Sequence, residues 1–223
     1  MSSINFKKQL YEQIARVGKA LSSANRLELL EFLSQSERSV ETLAKLSGMS
    51  VANTSHHLQQ LRQAGLVIAR KRGQQVIYSL SDDNVVTLIE IVRKIAETNL
   101  AEVEKLVTTY LRIKDNLEPV KADELLKRIK DGLVVVLDVR PEEEFASGHL
   151  PGAINVPLKR LKQSLRKIPD NKEIVAYCRG PHCVLAFDAV ATLRKKGFKA
   201  RRLENGSPEW KKAGLPVETT TNK

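Results

Sequence analysis

The hydrophobic pattern shifts at Pro119 from mostly helical spacing with one short hairpin to short apolar runs alternating with helical stretches, and this shift limits the chain to two parts built on different plans. Before it, apolar residues recur at helical spacing, as in Tyr11, Ile14, Val17 and Leu21, and again in Leu27, Leu29, Leu30 and Leu33. After it, short apolar runs at 133–137 (LVVVL) and 173–177 (EIVAY) alternate with helical stretches, the order of an α/β sheet. Proline lacks the N–H and the backbone freedom to carry a helix through. We therefore expect one domain over 1–115 and another over 116–223, and 223 residues suffice for two small domains.

Charge follows the same division. The chain holds 37 Lys and Arg against 26 Asp and Glu, a formal net charge of +11. Residues 1–81 net +6, 82–118 net −3 and 119–223 net +8. Two basic regions around an acidic one point to an anionic partner. Hydrophobic residues at 42% and charged residues at 28% exclude a disordered or collagen-like chain. Two cysteines cannot form a disulfide framework, which points to a reducing compartment. No apolar run approaches ~18 residues, so no membrane span is expected. Lys7, Lys8, Glu12, Arg16 and Lys19 interrupt the N-terminal stretch, which therefore lacks a signal-peptide core. The expected location is cytoplasmic.

In the first part, Ser39 is placed to cap a helix over 40–47 that Gly48 breaks. Ser50 caps a second helix that Gly65 ends. Two short helices around a tight glycine turn make a helix-turn-helix. The second helix is apolar on one side through Val51, Leu58 and Leu61 and presents Asn53, Thr54, His57 and Gln60 on the other, where short polar groups reach bases and phosphates. Strands at 66–68 and 76–78 flank Gly73, with Arg70, Lys71 and Arg72 before the turn. Such a basic hairpin is a wing able to neutralise phosphates. Residues 82–114 read as one long helix with a wide apolar stripe, including Leu88, Ile91, Ile95, Leu106 and Tyr110, which calls for the same helix of a second subunit.

Over about 10–112 the chain resembles the ArsR-type winged-helix repressors, through the stretch LAKLSGMSVANTSHHLQQLRQAGLVIARKRGQQVIYSL. The resemblance implies a homodimer that binds double-stranded DNA at an inverted-repeat operator. It implies DNA-facing roles for Ser50, Asn53, Thr54, Ser55, His57 and Gln60, with Arg70 and Arg72 on the wing. Many members sense metals through cysteines in the first helix of the motif or through Asp and His on the last helix. Here 40–47 has no cysteine and 82–114 has no histidine. His56 and His57 are adjacent and diverge on a helix. We expect no metal and no cofactor.

In the second part, the strand 173–177 runs directly into Cys178-Arg179-Gly180-Pro181-His182-Cys183, followed by a helix ending at Gly197. Converging backbone N–H groups and the helix dipole favour a thiolate at Cys178, and Arg179 adds to this. Such a loop holds a nucleophile, a persulfide or an oxyanion.

Over about 120–217 the chain resembles a single-domain rhodanese, through VVLDVRPEEEFASGHLPGAINVPL, IVAYCRGPHCV and LRKKGFKARRLENGSPEWKKAGLPV. The resemblance implies that Cys178 takes sulfur from thiosulfate or another sulfane donor such as polysulfide, and passes it to a thiol acceptor. Arg179, Gly180, Pro181, His182 and Cys183 would form the substrate cradle. Asp138 with Arg140, and Glu144 with His149, match internal polar residues of structural rather than catalytic character. Where the family commonly has Arg or Lys near the loop's end, this chain has Cys183. One anion-holding charge is lost, and a second thiol is gained that is able to resolve a Cys178 persulfide or sulfenic acid into a disulfide.

The expected architecture is a mainly α winged helix-turn-helix domain of α+β type, followed by an α/β rhodanese domain with a parallel sheet. The expected function is a transcriptional regulator carrying a sulfurtransferase module. Two alternatives stay open: a sensor that loads sulfur once without turnover, and an inactive interaction domain.

Overall fold

The computed structural model describes residues 3–169 and 171–220. It divides into two compact units, 1–90 and 91–223. In the first, helices α1 (Ser3–Leu21) and α2 (Ala24–Gln35) precede a two-residue strand β1 (Arg38–Ser39) and the helices α3 (Val40–Ser47) and α4 (Val51–Gln63). The hairpin β2 (Val67–Arg72) and β3 (Gln75–Leu80) follows, then α5 (Asn84–Asn99), which begins in the first unit. The sheet order is β1-β3-β2, all antiparallel.

The punctuation expected from sequence is present. Ser39 Oγ accepts from Thr42 N at 3.3 Å and Ser50 Oγ accepts from Asn53 N at 3.2 Å, each satisfying an otherwise unpaired first-turn donor. Gly48 closes α3 with φ of 70°, a left-handed conformation that glycine adopts without strain. Leu29, Leu30, Leu33, Leu43, Leu58, Leu61, Tyr78 and Val85 form the core. The wing strands run longer than the apolar alternation marks, because their ladder continues through Arg70, Lys71 and Arg72 to the turn at Gly73.

The single helix expected over 82–114 is broken. Leu100 takes an extended conformation (φ −109°, ψ 106°) and caps α6 (Ala101–Leu106), which passes into a π-helical stretch, Val107–Arg112. Thr98 and Asn99 turn their side chains back onto the carbonyls of Lys94 and Ile95, a competition with the helix ladder that ends α5.

The second unit continues with α7 (Ala122–Lys130), β4 (Val134–Asp138), α8 (Glu142–Ser147), β5 (Ile154–Asn155), α9 (Leu161–Ser164), β6 (Glu173–Tyr177), α10 (Val184–Lys195), β7 (Ala200–Arg202) and α11 (Ser207–Lys212). Its four strands are parallel in the order β5-β4-β6-β7. Both faces are covered. Leu137, Ile174, Ala176, Val190 and Leu193 pack on one side, and Val136, Val175, Tyr177, Leu125 and Trp210 on the other. Burial on both faces is why the strands read as continuous apolar runs. Leu133, expected to open β4, lies outside the strand and is exposed.

The 114–119 stretch is anchored rather than loose. The buried Asp115 carboxylate meets Arg194 at 2.9 Å and Arg202 at 3.3 Å, and Lys114 pairs with Asp188 at 2.7 Å.

Candidate functional site

The β6-to-α10 loop is held from three sides. Cys178 directly follows the last residue of β6, and Cys183 occupies the N-cap position of α10. Their Cα atoms stand 6.1 Å apart, and the two side chains are joined as a disulfide. This separation lies within the ordinary span of a disulfide. Both cysteines are buried, while 179–182 are partly exposed.

From below, Gly206 presses on the loop backbone. A β-carbon at 206 would stand 2.3 Å from the Arg179 carbonyl, so only glycine fits this approach. Ser207 N donates to Cys178 O at 3.1 Å and fixes the loop's start. From the side, Arg179 is turned into Glu144 on α8: Nη2 donates to Oε1 at 2.8 Å and Nε to Oε2 at 3.1 Å. This parallel pairing is rigid, and the Glu144 side chain is almost fully buried. Arg179 is therefore held against α8. From the third side, His182 Nε2 meets Glu97 Oε1 at 3.1 Å. Burial lowers the His182 pKa more than the Glu97 carboxylate raises it, which favours the neutral ring.

The polar residues expected to be structural are so placed. Arg140 Nη2 donates to Asp138 Oδ2 at 2.6 Å and to Gly148 O at 2.7 Å, and both side chains of this pair are wholly buried. The ring of His149 stacks on Phe145 at 3.7 Å, and its Nδ1 lies 2.9 Å from Phe145 O. Burial pushes the Tyr177 hydroxyl far above its usual range, and that hydroxyl accepts from Leu150 N at 3.1 Å.

In the first unit, Asn53 is exposed on α4, with Ser55 and His57 partly so, and Arg70 and Arg72 are exposed on the wing. Both arginines pair with Glu37, Arg72 at 3.7 Å. Two residues, Thr54 and Gln60, depart from the outward set. Thr54 is fully buried and donates its hydroxyl proton to Ser50 O at 2.9 Å, a local bond that removes it from the surface. Ser50 caps α4. Gln60 is drawn inward by Arg26, whose Nη1 donates to its side-chain oxygen at 2.5 Å. Burial and the Arg26 charge hold the His57 pKa below its usual value. Sequence reasoning missed Glu37, Arg26, Glu97 and Arg93, since each finds its partner across a fold contact that no local pattern marks.

Residues 23–69 match the family model for bacterial regulatory proteins of the arsR family, and residues 121–213 match the rhodanese-like domain. The HTH-type transcriptional regulator Rv0324 of Mycobacterium tuberculosis is 42% identical over 212 residues, covering 95% of this chain and 93% of that protein. The chain belongs to the arsR-family regulators with a C-terminal rhodanese-like domain. A sulfurtransferase of Allochromatium vinosum is 28% identical over 100 residues, 44% of this regulator and 92% of that protein. The homodimeric winged helix-turn-helix DNA-binding domain Mb0332 of Mycobacterium bovis is 38% identical, covering 46% of this regulator and 93% of that chain, with a TM-score of 0.42. Among the described residues, no helix is long and apolar enough to cross a membrane, and no group of three or more His, Cys, Asp or Glu is placed to hold a metal.

Proposed function

We propose that this regulator is a homodimeric, DNA-binding repressor whose rhodanese-like domain, in residues 116–223, loads sulfane sulfur onto Cys178. Binding to DNA rests on the exposed α4 side chains and wing arginines. Dimerisation rests on the apolar residues that α5 and the following helices leave exposed, among them Ile91, Ile95, Leu106 and Tyr110. The observation that carries the chemical reading is Cys183 within disulfide reach of Cys178, at the end of a strand-to-helix loop.

With both thiols reduced, the Cys178 thiolate attacks the outer sulfur of thiosulfate. A new bond to Sγ forms as the donor's S–S bond breaks, and sulfite leaves with the electron pair. The persulfide then has two fates. An acceptor thiolate takes the outer sulfur and releases the Cys178 thiolate. Alternatively the Cys183 thiolate attacks Cys178 Sγ, hydrosulfide leaves, and the disulfide forms. The second fate stops the cycle until an external thiol reduces the pair. Cys183 therefore favours a sensor that responds once over an enzyme that turns over.

Mass spectrometry of pre-reduced protein after thiosulfate or polysulfide tests this. The expected product is one added sulfur on Cys178, then the disulfide with release of about one equivalent of hydrosulfide. Cys178→Ser should abolish loading. Cys183→Ser should load normally and keep its persulfide longer. Full loading of Cys178→Ser would end the assignment.

A further inference from the structure

A sulfane donor such as thiosulfate is an anion, and the charge on its departing end grows as its S–S bond breaks. The loop's own side chains offer it little. Arg179 is paired with the buried Glu144, the partly exposed His182 favours its neutral form, and residue 183 is a cysteine. A cation does reach the loop from α5. Arg93 lies in the second unit, only 23% exposed. A β-carbon at Gly180 would stand 3.6 Å from its Nη1 and 3.8 Å from its Nη2, so the guanidinium lies over the middle of the loop. Glu209 holds it there. One Glu209 oxygen accepts from Gly206 N at 3.0 Å, and the other meets Arg93 Nη1 at 3.4 Å, a long contact. Among the described residues, Arg93 Nη2 and Nε have no hydrogen-bond partner.

We propose that Arg93 is the donor-binding cation of the Cys178 site, supplied by the helix outside the rhodanese-like domain in place of the basic residue the loop lacks at Cys183. The inference rests on the sulfur-loading reading. It adds that the site selects anionic sulfane donors, thiosulfate foremost. Arg93 holds the sulfonate end, and that end departs as sulfite with the electron pair of the broken S–S bond while the outer sulfur stays on Cys178. A planar guanidinium with one edge unoccupied suits such an oxyanion.

The test is the rate of single-turnover modification of Cys178 in pre-reduced full-length protein, read by mass spectrometry as the persulfide with thiosulfate and as the mixed di- or trisulfide with a neutral dialkyl trisulfide, from which an alkyl thiolate or persulfide leaves. Arg93→Gln should slow loading from thiosulfate about 10–100-fold, the loss expected for one charge-assisted contact. It should change loading from the trisulfide less than about twofold, and Arg93→Lys should recover part of the thiosulfate rate. Thiosulfate loading at the wild-type rate in Arg93→Gln would overturn the proposal, as would an equal slowing with both donors, which marks a merely structural residue. Wild-type protein that loads from neither donor would instead overturn the sulfur-loading reading, and this inference with it.

Discussion

In the first unit Arg70 and Arg72 are 62% and 75% exposed on the wing and, among the described residues, meet the single carboxylate of Glu37. In the second, Arg140 and Asp138 are wholly buried against each other, and Arg179 is locked to a buried Glu144. The difference is what the proposed function calls for in each unit. A surface that meets a phosphate backbone needs cations in solvent, free to exchange one anion for another. A loop that aims one sulfur atom needs a fixed frame, and buried, hydrogen-bonded ion pairs supply it at the cost of desolvation. Charge outside makes a binding face; charge inside makes a scaffold for chemistry.

Removing one partner of the inner kind should have the largest effect. Arg140→Leu leaves the Asp138 carboxylate buried without its counter-ion and frees Gly148 O. We expect a loss of about 3–5 kcal/mol in the stability of the second unit. Trp210, the only tryptophan, is buried in that unit, so its fluorescence during urea unfolding reads the loss directly. A change below about 1 kcal/mol would mean that the inner pairs do not carry the frame.

Coupling between the two regions is testable through α5. Helix α5 begins in the first unit and carries Arg93 and Glu97, whose partners are Glu209 and His182, in the second. A change at Cys178 or Cys183 alters the loop that His182 belongs to. Loading or disulfide formation should therefore weaken operator binding, by about 5–150-fold for a coupling of ~1–3 kcal/mol. Operator titration with reduced, polysulfide-treated and Cys178→Ser protein measures this. Equal affinities for all three would leave two separate functions on one chain.

Charges of the outer kind should matter for DNA and little for stability. Replacing Arg70 and Arg72 with Ala should flatten the dependence of log affinity on log salt by about 1 per arginine. Unfolding should change by less than about 0.5 kcal/mol. Glu37→Gln should do the opposite to binding, since it removes the carboxylate that competes with phosphate for both arginines. An unchanged salt slope in the double variant would remove the wing from the DNA-binding face.

The same contrast separates what the sequence made legible from what it hid. Ser39, Ser50 and Gly48 act within one helical turn, and their roles were readable because cause and effect lie within a few residues. The 173–177 run and the Cys178 loop were readable because burial on both faces leaves a continuous apolar stretch. Strand β1 was not, since two residues show no period and only pairing with β3 defines them. Thr54 reads as outward in the helical pattern, which does not show its local bond to Ser50. The partners of Arg93 and Asp115 lie 116 and 79 residues away, where only the folded sheet brings them together.

The smallest effect concerns pH at the loop. His182 is packed against Glu97, with the Arg93 and Arg202 charges near it. Burial, the largest influence, lowers its pKa below 6.5, Glu97 opposes this, and the two arginines add to the lowering. In the unfolded chain the ring takes a proton near its ordinary pKa, whereas the folded protein delays protonation to lower pH. The unfolded state thus binds more protons in the window just below 6.5, so stability rises with pH through that window and levels off above it. His182→Gln removes this contribution and should flatten the slope between about pH 5 and pH 7. The urea midpoint from Trp210 fluorescence, followed across that range in both proteins with the cysteines in the same oxidation state, reads the difference. A steeper slope in the variant than in the wild type would mean that Glu97 outweighs burial and holds His182 charged. The loop would then carry a cation of its own beside Cys178, and the division between an outer binding face and an inner neutralised frame would fail at its most reactive point.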